Sequence, residues 1–306
     1  YAAGTLATPN TGYFAGGRTT PTALSTVERI DYSNDTATAS VRGQLNTAQL
    51  FAAATGNSSF GYHGGGGPYN AQKSSVDRID YLNDTATAVA KGPLSVARIG
   101  LSATGNANFG YFASGAYPTP ITTVDRIDYS NDSATASPKG PLSAGRRYLA
   151  ATGNQDFGYI GGGNGPVSTV DRIDYSNDTA TAPAKGPLSL ARVQLAATGN
   201  ASFGYFGGGH PAKSTVDRID YSNDTATAVE KGPLSSARYV PAATGNASFG
   251  YFAGGKTPTQ LSTVDRIDYS NDTATASPKG PLSAAKRGLA GSSPQANGLP
   301  QITLFP

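Results

Sequence analysis

Apolar and polar positions change over very short distances along this chain, and no stretch of about 11 or more residues carries a helical period. Between Leu195 and Val229 the pattern resolves into four short segments. Leu195-Ala-Ala-Thr198 is a small-residue strand, followed by a turn at Asn200-Ala-Ser. Phe203 to Phe206 is a second, apolar strand that stops at Gly207-Gly-Gly. Val216 to Tyr221 mixes apolar and charged positions, as a strand with two unlike faces does. A tight turn is predicted at Ser222-Asn-Asp224, because Asn and Asp tolerate left-handed backbone and hydrogen-bond to it locally. Thr225 to about Val229 then reads as a fourth strand, stopped by Lys231-Gly-Pro.

This unit recurs six times. The arginine of Val-Asp/Glu-Arg-Ile-Asp-Tyr falls at Arg29, Arg78, Arg126, Arg172, Arg218 and Arg266, at spacings of 46 to 49 residues. The Gly-Tyr of the second strand has its tyrosine at Tyr13, Tyr62, Tyr111, Tyr159, Tyr205 and Tyr251. Asn-Asp-Thr/Ser-Ala-Thr-Ala begins at Asn34, Asn83, Asn131, Asn177, Asn223 and Asn271. Four strands per repeat, six times over, is the arithmetic of an all-β, six-bladed β-propeller with four antiparallel strands per blade. A β-helix needs shorter coils, and helical repeats need amphipathic pairs that are absent. The small Leu-Ala-Ala-Thr strand suits the crowded position next to the axis. The division expected is a propeller over residues 1–287 and a C-terminal tail or linker over 288–306. Tyr1 to Tyr13 spans the same positions as Tyr239 to Tyr251, so six complete units close without a borrowed strand. In the alternative, Gly288-Leu-Ala-Gly begins a seventh copy or pairs with the first blade.

The repeat resembles the kelch repeat. The copy that starts at Arg238 has Tyr251-Phe-Ala-Gly-Gly255 and then Val264-Asp-Arg-Ile-Asp268, the order of a kelch blade. The departures are systematic. Where kelch repeats carry a tyrosine this chain has Ile30, Ile79, Ile127, Ile173, Ile219 and Ile267. Where they carry a tryptophan it has Ala37, Ala86, Ala134, Ala180, Ala226 and Ala274. Phe60, Phe109, Phe157, Phe203 and Phe249 are the candidates to supply the missing aromatic bulk. The wording Asp-Tyr-Ser-Asn-Asp-Thr-Ala-Thr-Ala is also similar to repeats in predicted structural proteins of marine tailed phages, cyanophages included. That resemblance implies a virion appendage, such as a fibre component, that contacts a host surface.

Composition narrows the chemistry. With 39 Gly and 20 Pro in 306 residues the chain is rich in turns, and it has no Cys, Met or Trp. Disulfides, thiolate metal sites and cysteine nucleophiles are excluded. A copper site of the galactose-oxidase kind, which the kelch resemblance could imply, lacks its Cys and His residues. No run of about 18 apolar residues is present to span a membrane. The start at Tyr1 and the lack of Met point to a processed product or a piece of a longer polypeptide, and no signal peptide is present in the given chain. Lone His63 and His210 read as surface residues. Glycine runs such as Gly64–Gly67 lack the following Lys-Ser/Thr of a phosphate loop and read as close packing near the axis. The Asn-Asp-Thr/Ser turns are formal N-glycosylation sequons and read first as turn chemistry.

Charge suggests where a ligand would sit. Strands alternate in direction, so loops between strands two and three share one face with the inter-blade connections, and these vary in length and residue type. The turns on the opposite face are nearly constant. Of 23 bases, about 17 fall on or near the variable face, whereas the turn aspartates fall opposite. The expectation is a disc that is basic on one face and acidic on the other, able to stack on itself. Candidate ligand residues are Arg18, Lys73, Arg98, Arg147, Lys213 and Lys256. Six third-strand pairs are expected to be structural: Arg29 with Asp31, Arg78 with Asp80, Arg126 with Asp128, Arg172 with Asp174, Arg218 with Asp220, and Arg266 with Asp268. No catalytic residue, metal, cofactor, nucleic acid partner or membrane insertion is expected. The function expected is a non-catalytic binding or structural module, extracellular or on a virion surface, whose partner is a cell-surface polysaccharide or another surface protein. The alternatives are a secreted or cell-surface lectin or filament subunit and, third, a carbohydrate-active enzyme.

Overall fold

A computed structural model describes residues 9–68, 70–116 and 118–296. Six antiparallel blade sheets surround one axis, and a two-stranded hairpin of Lys256–Thr257 and Thr259–Gln260 lies in the loop of blade six. Blades two, three, five and six each run outward through four strands in chain order: Ala53–Gly56 to Val89–Lys91, Ser102–Gly105 to Ser137–Lys139, Ala196–Gly199 to Val229–Lys231, and Ala242–Gly245 to Ser277–Lys279. Blade four has three strands, Ala150–Gly153, Phe157–Gly161 and Val170–Asp174. Its outer segment starts with Pro183, which has no N–H to give, and is reduced to a bridge between Asp171 and Ala184.

Blade one closes the ring and corrects the expectation of six self-contained units. Its innermost strand is Arg287–Ser292, paired antiparallel with Thr11–Arg18 so that Ala15 lies opposite Ala290. Leu24–Asp31 and Ser40–Gln49 complete the sheet. The propeller therefore continues past the expected boundary at residue 287, and the tail begins after this strand. The first strand expected near Tyr1 falls mostly on residues outside the described ones. A first and a last segment of chain joined in one sheet leave the ring without a seam held only by side chains.

The fourth strands are displaced from their expected positions. In blade five Tyr221–Asn223 is one turn of 3-10 helix, and the strand is Val229–Lys231 rather than Thr225 to Val229. Asp220 ends the third strand and its carboxylate accepts the Ser222 N–H at 2.9 Å, which turns the chain before a strand can start. The Asn-Asp-Thr-Ala-Thr-Ala run instead clasps the preceding blade. Gly186 N–H donates to Asp224 C=O and Ala228 N–H to Pro187 C=O, both at 2.8 Å. The same two bonds recur around the ring, ending with Gly280 to Asp35 and Ala39 to Pro281.

This clasp explains the glycine that follows each lysine or arginine at the blade edge. A Cβ on Gly186 would land on the carbonyl oxygen of Ala226, and the other five glycines of the series meet the equivalent alanine carbonyl. Neighbouring backbones touch here, so the glycine position has no room for a side chain. Gly186→Ala is expected to cost about 1–3 kcal/mol, read as a lowered melting temperature; an unchanged melt would contradict the clasp.

Aromatic bulk sits between blades instead. The second-strand tyrosine of each blade stacks on the turn tyrosine of the next, as in Tyr159 on Tyr221 with centroids 4.7 Å apart, and the series closes with Tyr251 on Tyr32. The expected phenylalanines contribute differently: Phe203 packs under the guanidinium of Arg218, 4.3 Å from ring centroid to Cζ.

Candidate functional site

Two sets of ion pairs must be separated from the charges left for a partner. In the first, each third-strand arginine reaches the turn aspartate of the next blade: Arg29 to Asp84, Arg78 to Asp132, Arg126 to Asp178, Arg172 to Asp224, Arg218 to Asp272 and Arg266 to Asp35, at 2.7–2.8 Å. Each of these aspartates also faces a lysine or arginine from the end of a fourth strand and accepts a tyrosine O–H; for Asp132 these are Lys91 and Tyr62. Burial pushes Asp132 up, yet the bonds from Lys91 and Tyr62 and the charge of Arg78 outweigh it and hold the carboxyl below the usual range. The expected pairing is thus corrected in its acid: the arginines bridge blades, but to the turn aspartates. Asp31, Asp80, Asp128, Asp174, Asp220 and Asp268 instead cap the turns that follow them.

The second set is buried between blades. Arg98 pairs with Asp125, Arg146 with Asp171, Arg192 with Asp217, Arg238 with Asp265 and Lys286 with Glu28, at 2.6–3.0 Å. Gln49 takes the sixth place, 3.4 Å from Asp77. Arg98 is fully buried, so it is no ligand residue, and the inter-blade bases do not charge the surface as expected. The turn aspartates, neutralised and buried, likewise do not make an acidic face.

What remains is smaller and sharper. Among the described residues no ion pair engages Arg18, Lys73, Arg147, Lys213 or Lys256. All five are partly exposed on the variable-loop face. The opposite face keeps the capping aspartates, partly or fully exposed. Serine hydroxyls hold Asp128, Asp174, Asp220 and Asp268 below the usual carboxylate range, so these stay charged. Charge does differ between the faces: five of the six candidate bases remain on one, and the capping aspartates take the place of the turn aspartates on the other.

The variable loops gather around the axial channel. At the end of the second strand, two residues with positive φ turn the chain, both glycine except in blade three, where Ser114 precedes Gly115. The second of them donates to the carbonyl of the next blade's inter-blade residue, as Gly209 N–H does to Arg238 C=O at 2.9 Å. Beyond this point the loops touch the residues that lead into the inner strands: Asn164 N–H donates to Arg147 C=O, His210 N–H to Val193 C=O and Lys256 N–H to Tyr239 C=O. His210 is exposed and meets Tyr239 edge-on.

Inside these loops lies a ring that sequence reasoning missed. Phe51, Gly100, Tyr148, Gln194 and Val240 each precede an inner strand, Gly288 is the second residue of the closing strand, and all six have φ between +58° and +69°. Each N–H donates to the carbonyl of the preceding blade's residue: Gly100 to Phe51, Tyr148 to Gly100, Gln194 to Tyr148, Val240 to Gln194, Gly288 to Val240, and Phe51 to Gly288, at 2.6–3.2 Å. Six left-handed residues thus form an unbroken hydrogen-bonded circuit at the mouth of a channel of about 140 Å³. The signal in the sequence was a varying pair of residues between a position that is basic in five of six copies and a Leu-Ala-Ala-Thr-like segment, overlooked because the surrounding strand pattern is so regular.

His63 is not a surface residue. It takes the second-strand place held by Phe112, Phe206 and Phe252, is fully buried, and lies 3.2 Å from Ser292 Oγ of the closing strand. Burial lowers its pKa to about 3, so the ring is neutral. Among the described residues no group of three His, Cys, Asp or Glu side chains is placed to hold a metal ion. No protein-family model matches the chain, and no curated protein matches it either.

Proposed function

We propose that this propeller is a non-catalytic binding module that holds an acidic polysaccharide of a cell surface on its variable-loop face. One observation carries the reading: six near-identical blades differ mainly on the face where Arg18, Arg147, Lys213 and Lys256 have no acid partner, with Lys73 beside them held by Ala48 C=O and the charge of Asp77. The third-strand, outer-segment and buried inter-blade bases are instead consumed by ion pairs. A partly exposed ring of bases, tied to a rigid scaffold, attracts a polyanion at long range and offers several contacts along a polymer. The likeness to kelch repeats and to marine phage structural proteins favours a virion appendage, outside the cell, as the setting. A second reading, a filament subunit, draws on the capping aspartates of the opposite face, which could meet the bases of a second copy.

The test is titration of the isolated chain with an acidic polysaccharide such as polygalacturonate, and with a neutral one, from about 0.05 to about 0.5 M salt. The acidic polymer alone should bind, and salt should weaken it. Replacing Lys213 and Lys256 by Gln should cost up to about tenfold in affinity. Equal binding of neutral and acidic polymers, or none of either, would overturn the proposal.

A further inference from the structure

The mouth of the channel carries side chains where its backbone favours none. Phe51, Tyr148, Gln194 and Val240 hold φ of +58° to +62°, a region that glycine enters freely and that is unfavourable for aromatic and β-branched residues. Gly100 and Gly288 show that the circuit itself accepts glycine. The hydrogen bonds are made by backbone alone, so they do not require the four side chains. Left-handed non-glycine residues gather at ligand clamps, where the surroundings hold the strain.

The four side chains divide the mouth. A Cβ on Gly100 would meet the Tyr148 ring at 2.9 Å, and one on Gly288 would meet the Phe51 ring at 3.3 Å. Both rings therefore lean over a glycine of the preceding blade, and they meet each other edge to face at 5.1 Å. Gln194 and Val240 occupy the other side. Arg147 stands beside this wall with its guanidinium 5.6 Å from the Tyr148 ring. Its Nε is buried and has no hydrogen-bond partner. Below the mouth the channel is walled by the alanines of the inner strands.

We propose that this mouth is a specificity pocket for a single acidic sugar residue at the end or along the side of a glycan. Its C–H face lies against Tyr148 and Phe51, which offer apolar area with little entropy to lose. Its carboxylate takes the Arg147 guanidinium in a charge-assisted bond. Gln194 hydrogen-bonds a hydroxyl or amide on the far side, and a short apolar substituent, such as an acetyl methyl, enters the alanine-walled channel. A concave apolar site with a few placed polar groups is the usual form of a small-ligand pocket. The inference rests on the binding function proposed above and names the part of the ligand that is selected.

The experiment titrates 3′-sialyllactose, with lactose as the neutral control, into the full chain and into Tyr148→Gly, Arg147→Gln and Lys256→Gln, with melting curves for each. Glycine at position 148 keeps the left-handed backbone, so Tyr148→Gly should melt at or above the parent temperature. It should lose about tenfold or more in affinity for the acidic sugar, as should Arg147→Gln. Lys256→Gln, whose backbone bonds Tyr239 beside the mouth, should weaken polygalacturonate by a larger factor than sialyllactose. If Tyr148→Gly and Arg147→Gln bind sialyllactose as the parent does, the pocket is overturned while polymer binding stands. If Tyr148→Gly lowers the melting temperature along with affinity, the residue is structural and the pocket is again overturned. A parent chain that binds neither the sugar nor the polymer overturns both proposals.

Discussion

A chain ended after Lys286 should open the ring and lose a large part of its stability. The missing strand supplies the inner edge of blade one, with buried Leu289 and Ala290. It also supplies two links of the backbone circuit, Phe51 to Gly288 and Gly288 to Val240. Ser292 C=O accepts the Thr244 hydroxyl at 3.0 Å, and Ser293 Oγ donates to Thr11 C=O at 2.9 Å. Truncating one buried leucine typically costs about 2–5 kcal/mol. Losing the strand around it should cost about 5 kcal/mol or more, against a usual total of about 5–15 kcal/mol. The melting temperature should fall by about 10 °C or more, and Leu289→Ala should account for about half of the effect. If the truncated chain melts with the parent, closure does not depend on this strand.

Asp217→Ala should be the most damaging single substitution among the inter-blade charges. Asp217 and Arg192 are both fully buried, 2.6 Å apart. Asp217 also accepts the N–H and hydroxyl of Ser189 from the loop behind it, at 3.1 and 2.6 Å. The Nη1 and Nη2 groups of Arg192 also donate to the carbonyls of Gly208, Thr215 and Phe206. Removing the carboxylate strands a cation in a dry site and frees the serine, at about 3–5 kcal/mol. Asp220→Ala, three residues along, removes only an exposed turn cap and should cost about 1 kcal/mol. Denaturant melts of the two variants measure the contrast; equal losses would show that the inter-blade pair adds nothing beyond a surface cap. Buried pairs fix geometry more dependably than they add stability, so replacing Asp217 and Arg192 together by apolar residues should recover much of the loss.

The repeat made most of the fold legible, because its landmarks mark strands directly. Gly-Tyr, Val-Asp-Arg-Ile-Asp and Asn-Asp-Thr fall in the second strand, the third strand and the outer turn. Closure was not legible from phase alone. Tyr1 is in register with Tyr239, yet Gly4-Thr-Leu-Ala lacks the Ala-Ala-Thr-Gly of the other inner strands, while Gly288-Leu-Ala-Gly-Ser approximates it. The fourth strands were misplaced because β-branched threonines suggested strand where an aspartate cap had already turned the chain. Charge counting placed bases by their nearest loop. It could not see that Arg98 turns inward to Asp125 or that Lys91 reaches across to Asp132. Partner choice over such distances is a property of the packed ring, not of local sequence. The mouth was missed for a related reason: the circuit joins residues about 48 apart, and positive φ at Tyr148 or Val240 runs against what those residue types favour.

The proposed function requires that one face, the variable one, meets the ligand. Hydrogen–deuterium exchange of the chain with and without polygalacturonate tests it most directly. Slowed exchange should be confined to the loops that carry Arg18, Lys73, Lys213 and Lys256 and to the mouth residues Tyr148 to Val240, with the Asn-Asp-Thr turns unchanged. Slowed exchange at the turns around Asn177, Asn223 and Asn271, with the variable loops unaffected, would contradict it.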